Sequence, residues 1–174
     1  PLGALPIYQK EEIRRAWKVS RDVAKRGYTP EQVLEQMDRR SDDSAKYIQP
    51  QKKHADVIVR QIEDVKGASQ IAAEYELSND LDPLALYEVF AQVDGVQVEW
   101  VPDESLTRDL LRVRGELSVE QIRDLATVAI PNLDELVDEA LPTLKEGGQG
   151  VTQLVLLHAI SARLRGAHNE WLNT

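Results

Sequence analysis

The sequence predicts an α+β fold, with a helical N-terminal segment leading into a mixed or antiparallel sheet with packed helices. Three observations carry this. Residues 10–26 are rich in Glu, Arg, Lys and Ala, with Ile13, Ala16, Trp17 and Val23 at helical spacing. Val96-Gln97-Val98-Glu99-Trp100 alternates apolar and polar residues strictly, as a half-buried strand does. Residues 151–164 form a strongly apolar run long enough for a buried helix.

Taken in order, residues 1–9 are proline-rich and unpatterned and are expected to be a cloning scar or linker. The first helix should end at Gly27, behind the cations Lys25 and Arg26 that suit a helix C-terminus. Thr29-Pro30-Glu31-Gln32 then reads as N-cap, N1 proline and capping-box glutamine, opening a helix to about Arg40 with Val33, Leu34 and Met37 inward. A short helix is expected over 41–48, broken by Pro50. Ala55 to Val59 is a β-branched run that reads as a buried strand. Ile71, Ala73, Tyr75 and Leu77 alternate with other residues in a second strand. Residues 84–93 fit either helix or strand. Asp94-Gly95 signals a hairpin before the strand at 96–100. Another strand is expected near 110–114. Ser118 to Gln121 is a second capping box, opening a helix to about Ala129, and Pro131 starts a further one to about Ala140. Gly147-Gly148-Gln149-Gly150 reads as a loop, and Gly166 as the end of the last helix.

Charge is divided unevenly. Residues 1–66 carry 14 Lys+Arg against 11 Asp+Glu, and residues 67–174 carry 7 against 19, giving the total of −9. This shift sets the expected boundary: 10–66 as a basic helical segment with one strand, and 67–174 as a C-terminal α+β region. An acidic whole argues against nucleic acid as a partner. There is no run of 18 apolar residues, and the start is not a signal peptide, so no membrane partner and a cytoplasmic location are expected. Zero cysteines exclude disulfides, thiolate catalysis and zinc-finger sites, and His54, His158 and His168 have no metal-ligand spacing, so no metal site is expected. His158, in an apolar helix, reads as a satisfied core histidine; Trp17 and Trp100 read as packed. Glu135, Asp138 and Glu139 read as a solvated face. Lys52-Lys53 suits either a phosphate or plain solvent.

The one constellation suited to chemistry is cationic. Arg14, Lys18, Arg21 and Lys25 lie at i, i+4, i+7 and i+11, on one helix face, with Arg15 and Arg26 flanking. Like charges one turn apart repel by a few tenths of a kcal/mol, roughly, so such a face favours an anion. Asp22 is placed to offset Lys18 and Arg26. A solvated surface helix neutralised by acids from elsewhere has the same pattern.

Two longer motifs carry a resemblance. Trp17-Lys18-Val19-Ser20-Arg21-Asp22-Val23-Ala24-Lys25-Arg26-Gly27-Tyr28-Thr29, with Gln32-Val33-Leu34, resembles the lid segment of the phosphoribulokinase and uridine kinase family. Tyr47-Ile48-Gln49-Pro50-Gln51-Lys52-Lys53-His54-Ala55-Asp56-Val57-Ile58-Val59 resembles that family's P-x-K-x-x-A-D-V-I-V region. Tyr28, and Arg39-Arg40 before Ser41-Asp42-Asp43, look closer to the phosphoribulokinase side. Beyond residue 67 the resemblance rests on Glu99-Trp100-Val101-Pro102 and on the helix from Gly150 to Leu164. The resemblance implies that this is the C-terminal portion of such a kinase from the lid onward, a fragment of a P-loop kinase fold. It implies phosphate-binding roles for Lys18, Arg21 and Arg26, with Arg14 and Lys25 extending the site and Asp22 orienting it by a salt bridge. The full-length family uses ATP with magnesium, and ribulose 5-phosphate is the implied sugar phosphate. The chain has no G-x-x-x-x-G-K-[ST] loop, and the family's catalytic aspartate and metal ligands would lie upstream. No catalytic residue is therefore assigned within it, no cofactor is expected to bind it tightly, and activity alone is not expected. The alternative reading is a non-catalytic regulatory or dimerisation module, with self-association as a homodimer.

Overall fold

The computed structural model describes residues 7–9, 11–40, 46–47, 49–63, 71–104, 107–133 and 143–172. Five strands, β1 (Ile7–Gln9), β2 (Val57–Glu63), β3 (Ile71–Ser78), β4 (Gln97–Pro102) and β5 (Arg108–Arg114), form one sheet in the order β1-β2-β3-β5-β4. β1 runs parallel to β2, and the other four strands are antiparallel neighbours, so the sheet is mixed and the fold is α+β. Among the described residues five α-helices accompany it: α1 (Glu11–Arg26), α2 (Pro30–Arg39), α3 (Pro83–Ala91), α4 (Val119–Ala129) and α5 (Gly147–Leu172).

Register explains which side chains meet. Val59, Tyr75, Leu111 and Trp100 are paired across four strands and share one face, as do Ala73, Val113 and Val98. This face is the core, where Tyr75, Leu77 and Leu111 join Leu86 and Phe90 of α3, Ile122 and Ala126 of α4, and Leu154 and Val155 of α5. Tyr75 and Thr152 are 2.9 Å apart at their hydroxyls, and Thr152 donates to Gly148 O, so the phenol donates to Thr152 and pins β3 to α5. Burial pushes the Tyr75 phenol well above its ordinary range. The opposite face is a charge ladder. Arg112 reaches Glu74 at 2.7 Å and Glu99 at 2.9 Å, and Arg60 pairs with Glu76.

Several expectations are corrected here. Residues 7–9, taken as scar or linker, form β1 against β2. Residues 84–91 of the ambiguous 84–93 stretch belong to α3, because Pro83 sits in its first turn and the Asp82 carboxylate accepts from Ala85 N at 3.2 Å. Asp94-Gly95 therefore joins a helix to a strand and closes no hairpin. Gly95 supplies φ of +81°. Gly147–Gly150 is the first turn of α5, which also runs through Gly166 to Leu172. A Cβ on Gly150 would lie 1.9 Å from Lys145 O, so glycine here serves close approach of the incoming chain. The boundary at 66–67 falls between β2 and β3, hydrogen-bonded neighbours in one sheet. The helix expected over 41–48 is described only at 46–47 and that over 131–140 only to Leu133. Glu135, Asp138, Glu139 and the side chain of Trp17 lie outside the described residues.

Candidate functional site: the cationic face of α1

α1 and α2 form a hairpin closed by local chemistry. Gly27 takes φ of +68°, and the Thr29 hydroxyl accepts from Gln32 N at 3.3 Å while the Gln32 side chain accepts from Thr29 N at 3.0 Å. Val33 and Met37 are buried, and Arg15 of α1 pairs with Asp38 of α2. The hairpin leaves the last two turns of α1 in solvent.

On those turns Arg21, Lys25 and Arg26 are exposed and Lys18 is half-buried. Asp22 is 2% exposed among them. Its Oδ1 takes Arg21 Nε at 2.9 Å and lies 3.8 Å from Arg26 Nη1. The hydrogen bond from Arg21 holds the Asp22 carboxyl below the usual range, with help from the charges of Arg21, Arg26 and Lys18 and against the effect of burial. The sequence placed Asp22 opposite Lys18 and Arg26. The structure makes its neighbour Arg21 the main partner, because the Nε edge of the guanidinium reaches round to the carboxylate. Arg14 lies on the same helix, with its side chain outside the described residues.

The arrangement is a cluster of guanidinium and ammonium groups with one carboxylate fixing two of them. Such a cluster can bind an oxyanion by charge and by N–H donation. The helix dipole gives no help, since this is the negative end of α1. Among the described residues there is no group of three His, Cys, Asp or Glu that could hold a metal ion. No described helix is long and apolar enough to cross a membrane.

Sequence reasoning did not find a second polar cluster, at the end of the sheet. Arg163 of α5 pairs with both Asp56 and Asp80. Burial raises the Asp80 carboxyl, but bonds from Ser78 and Arg163 outweigh it and hold the group low. Arg108 Nη2 donates to Lys52 O at 3.0 Å and to Ala55 O. Asp56, within the Ala-Asp-Val motif, was the only available signal. His158 is 2% exposed, with Nδ1 2.8 Å from Ala129 O and Nε2 2.8 Å from Leu81 O, a core position as expected.

The cation-bearing helix, the capped second helix and the strand reached through a basic turn lie within a stretch that is similar in sequence to a known family. Residues 5–68 fit the model of the Phosphoribulokinase / Uridine kinase family. Among curated proteins, the phosphoribulokinase of Synechocystis sp. is 44% identical over 50 residues, 29% of this chain and 15% of that protein. The chloroplastic phosphoribulokinase of Chlamydomonas reinhardtii is 31% identical over 100 residues, 53% of this chain and 25% of that protein. That of Spinacia oleracea is 42% identical over 48 residues, 28% of this chain and 12% of that protein. The matched stretches thus span a quarter or less of these relatives. The finding corrects the reading of the whole chain as a C-terminal kinase portion running from a lid segment onward, because the family match occupies residues 5–68, the N-terminal part of this chain.

Proposed function

We propose that the face of α1 bearing Lys18, Arg21 and Arg26, extended by Arg14 and Lys25, binds the phosphate groups of a sugar phosphate and of ATP in a kinase related to phosphoribulokinase. The observation that carries this is the buried Asp22 carboxylate, which holds Arg21 and Arg26 in place while most of each side chain faces solvent. A plain solvated helix does not need a buried acid to organise its arginines. Phosphoryl transfer is largely positioning and charge stabilisation, and fixed guanidinium groups supply both. The similarity to phosphoribulokinases supports ribulose 5-phosphate as the sugar phosphate. A cytoplasmic location belongs to the same proposal.

Residues 1–174 contain no phosphate loop of the G-x-x-x-x-G-K-[ST] type, so these residues alone are expected to give no turnover. The test is an ADP-release assay with ribulose 5-phosphate and with uridine. Sustained magnesium-dependent turnover by this chain would overturn that part of the proposal. A second reading is a regulatory or dimerisation module. The position of β4 at the edge of the sheet favours it, since an edge strand can pair with another chain.

A further inference from the structure

We propose that Tyr28, at the tip of the α1–α2 hairpin, stacks on a nucleobase, so that the face of α1 takes a nucleoside polyphosphate; this rests on the phosphate-binding reading of that face. Tyr28 follows Gly27, whose φ of +68° turns the chain back on the helix end, and Tyr28 N donates to Asp22 O at 3.4 Å. The residue whose carboxylate fixes Arg21 and Arg26 thus also anchors the backbone of Tyr28. Tyr28 is 41% exposed, and among the described residues its ring meets no second aromatic and no cation. Val23, 37% exposed, lies three residues before Arg26 and so beside it on the helix. A chain reversal after a helix is often closed by an apolar contact between residues at these two places. Here both keep more than a third of their surface in solvent, so any such contact leaves apolar surface free.

The end of α1 therefore offers two kinds of surface side by side. Arg21 and Arg26 lie about 7.5 Å apart along the helix axis, and Tyr28 lies just past Arg26. Inorganic phosphate or a sugar phosphate uses only the cations. A nucleoside polyphosphate uses both surfaces, because it is a charged chain that ends in a flat apolar ring. Aromatic stacking accepts any base, since every base has a π-face. The site thus selects a nucleotide without reading which base it carries.

The test is an NMR titration of the chain with ATP and with inorganic tripolyphosphate at constant ionic strength. Tripolyphosphate carries the greater charge, so charge alone would make it the tighter ligand. Stacking reverses that order, and ATP should bind more tightly, with its adenine protons moved upfield. Tyr28→Ala should weaken ATP binding about tenfold, the loss expected for one stacked base, and leave tripolyphosphate binding as in wild type. Tyr28→Phe keeps the ring and should bind ATP as wild type does. Arg21→Ala should weaken both ligands. Circular dichroism is the folding control for each variant. If neither ligand shifts the α1 amides, the phosphate-binding reading itself fails. If both bind at α1 but Tyr28→Ala titrates ATP like wild type, the stacking proposal alone is overturned. An equal loss of both ligands in Tyr28→Ala would give Tyr28 a merely structural role and overturn it as well.

Discussion

Asp22 is the residue on which the α1 site depends. Because Arg21 holds its carboxyl low, its carboxyl NMR titration should have a midpoint below the ordinary aspartate value of 3.8. The folded-state value is depressed, so the pairing's contribution is fully present above the unfolded value and is lost as pH falls through the folded one. Arg21→Ala should return the midpoint toward 3.8, and an unchanged midpoint would assign the shift elsewhere. Two other residues test the core. His158 lies between two carbonyls, to one of which a neutral imidazole donates, so His158→Leu strands that carbonyl, at about 1–3 kcal/mol. Urea denaturation should show that loss; a variant as stable as wild type would contradict these bonds. Gly150→Ala ordinarily stabilises a helix by up to about 1 kcal/mol. Here the clash with Lys145 O reverses the sign, and the variant should unfold more easily than wild type.

At the scale of elements, the capping box makes the α1–α2 hairpin a local unit. Thr29→Ala removes the hydroxyl that accepts from Gln32 N and should cost about 0.5–2 kcal/mol, read as a lower denaturation midpoint. No change would mean that packing of Val33 and Met37 holds α2 without its cap. The edge strand β4 makes a different prediction. Its central partner is β5, and its other side is unpaired among the described residues. Self-association is expected in sedimentation at high micromolar concentration. A monomer throughout would count against the dimerisation reading.

Across the whole molecule, what could be read in advance was what is local. Both capping boxes, the alternation of β3 and the cationic face of α1 are set by residues within a turn or a few positions of each other. β1 could not be read, because three residues become a strand only by pairing with Val59–Gln61, some 50 positions away. α3 is apolar on nearly every side, so periodicity could not separate helix from strand, and its cap decides. The glycines at 147–150 carry turn composition, yet they open α5, where Gly150 packs closely on Lys145 O. The site divides in the same way. Its cations were legible from spacing. The burial of Asp22 and the Arg163–Asp56 pair, 107 residues apart, depend on tertiary placement and leave no local pattern. The central claim is that α1 binds phosphate through Arg21 and Arg26. Its most direct test is an NMR titration with phosphate and ATP, read at the α1 amides, on wild type, Arg21→Ala and Arg26→Ala. Binding on the order of millimolar is expected, strongly salt dependent because exposed charges are screened over about 10 Å at 0.1 M salt. Each variant should weaken it, with circular dichroism as the folding control, because both arginines pair with the buried Asp22. If the α1 amides do not respond, or both variants titrate like wild type, the face is only solvated and the account is contradicted.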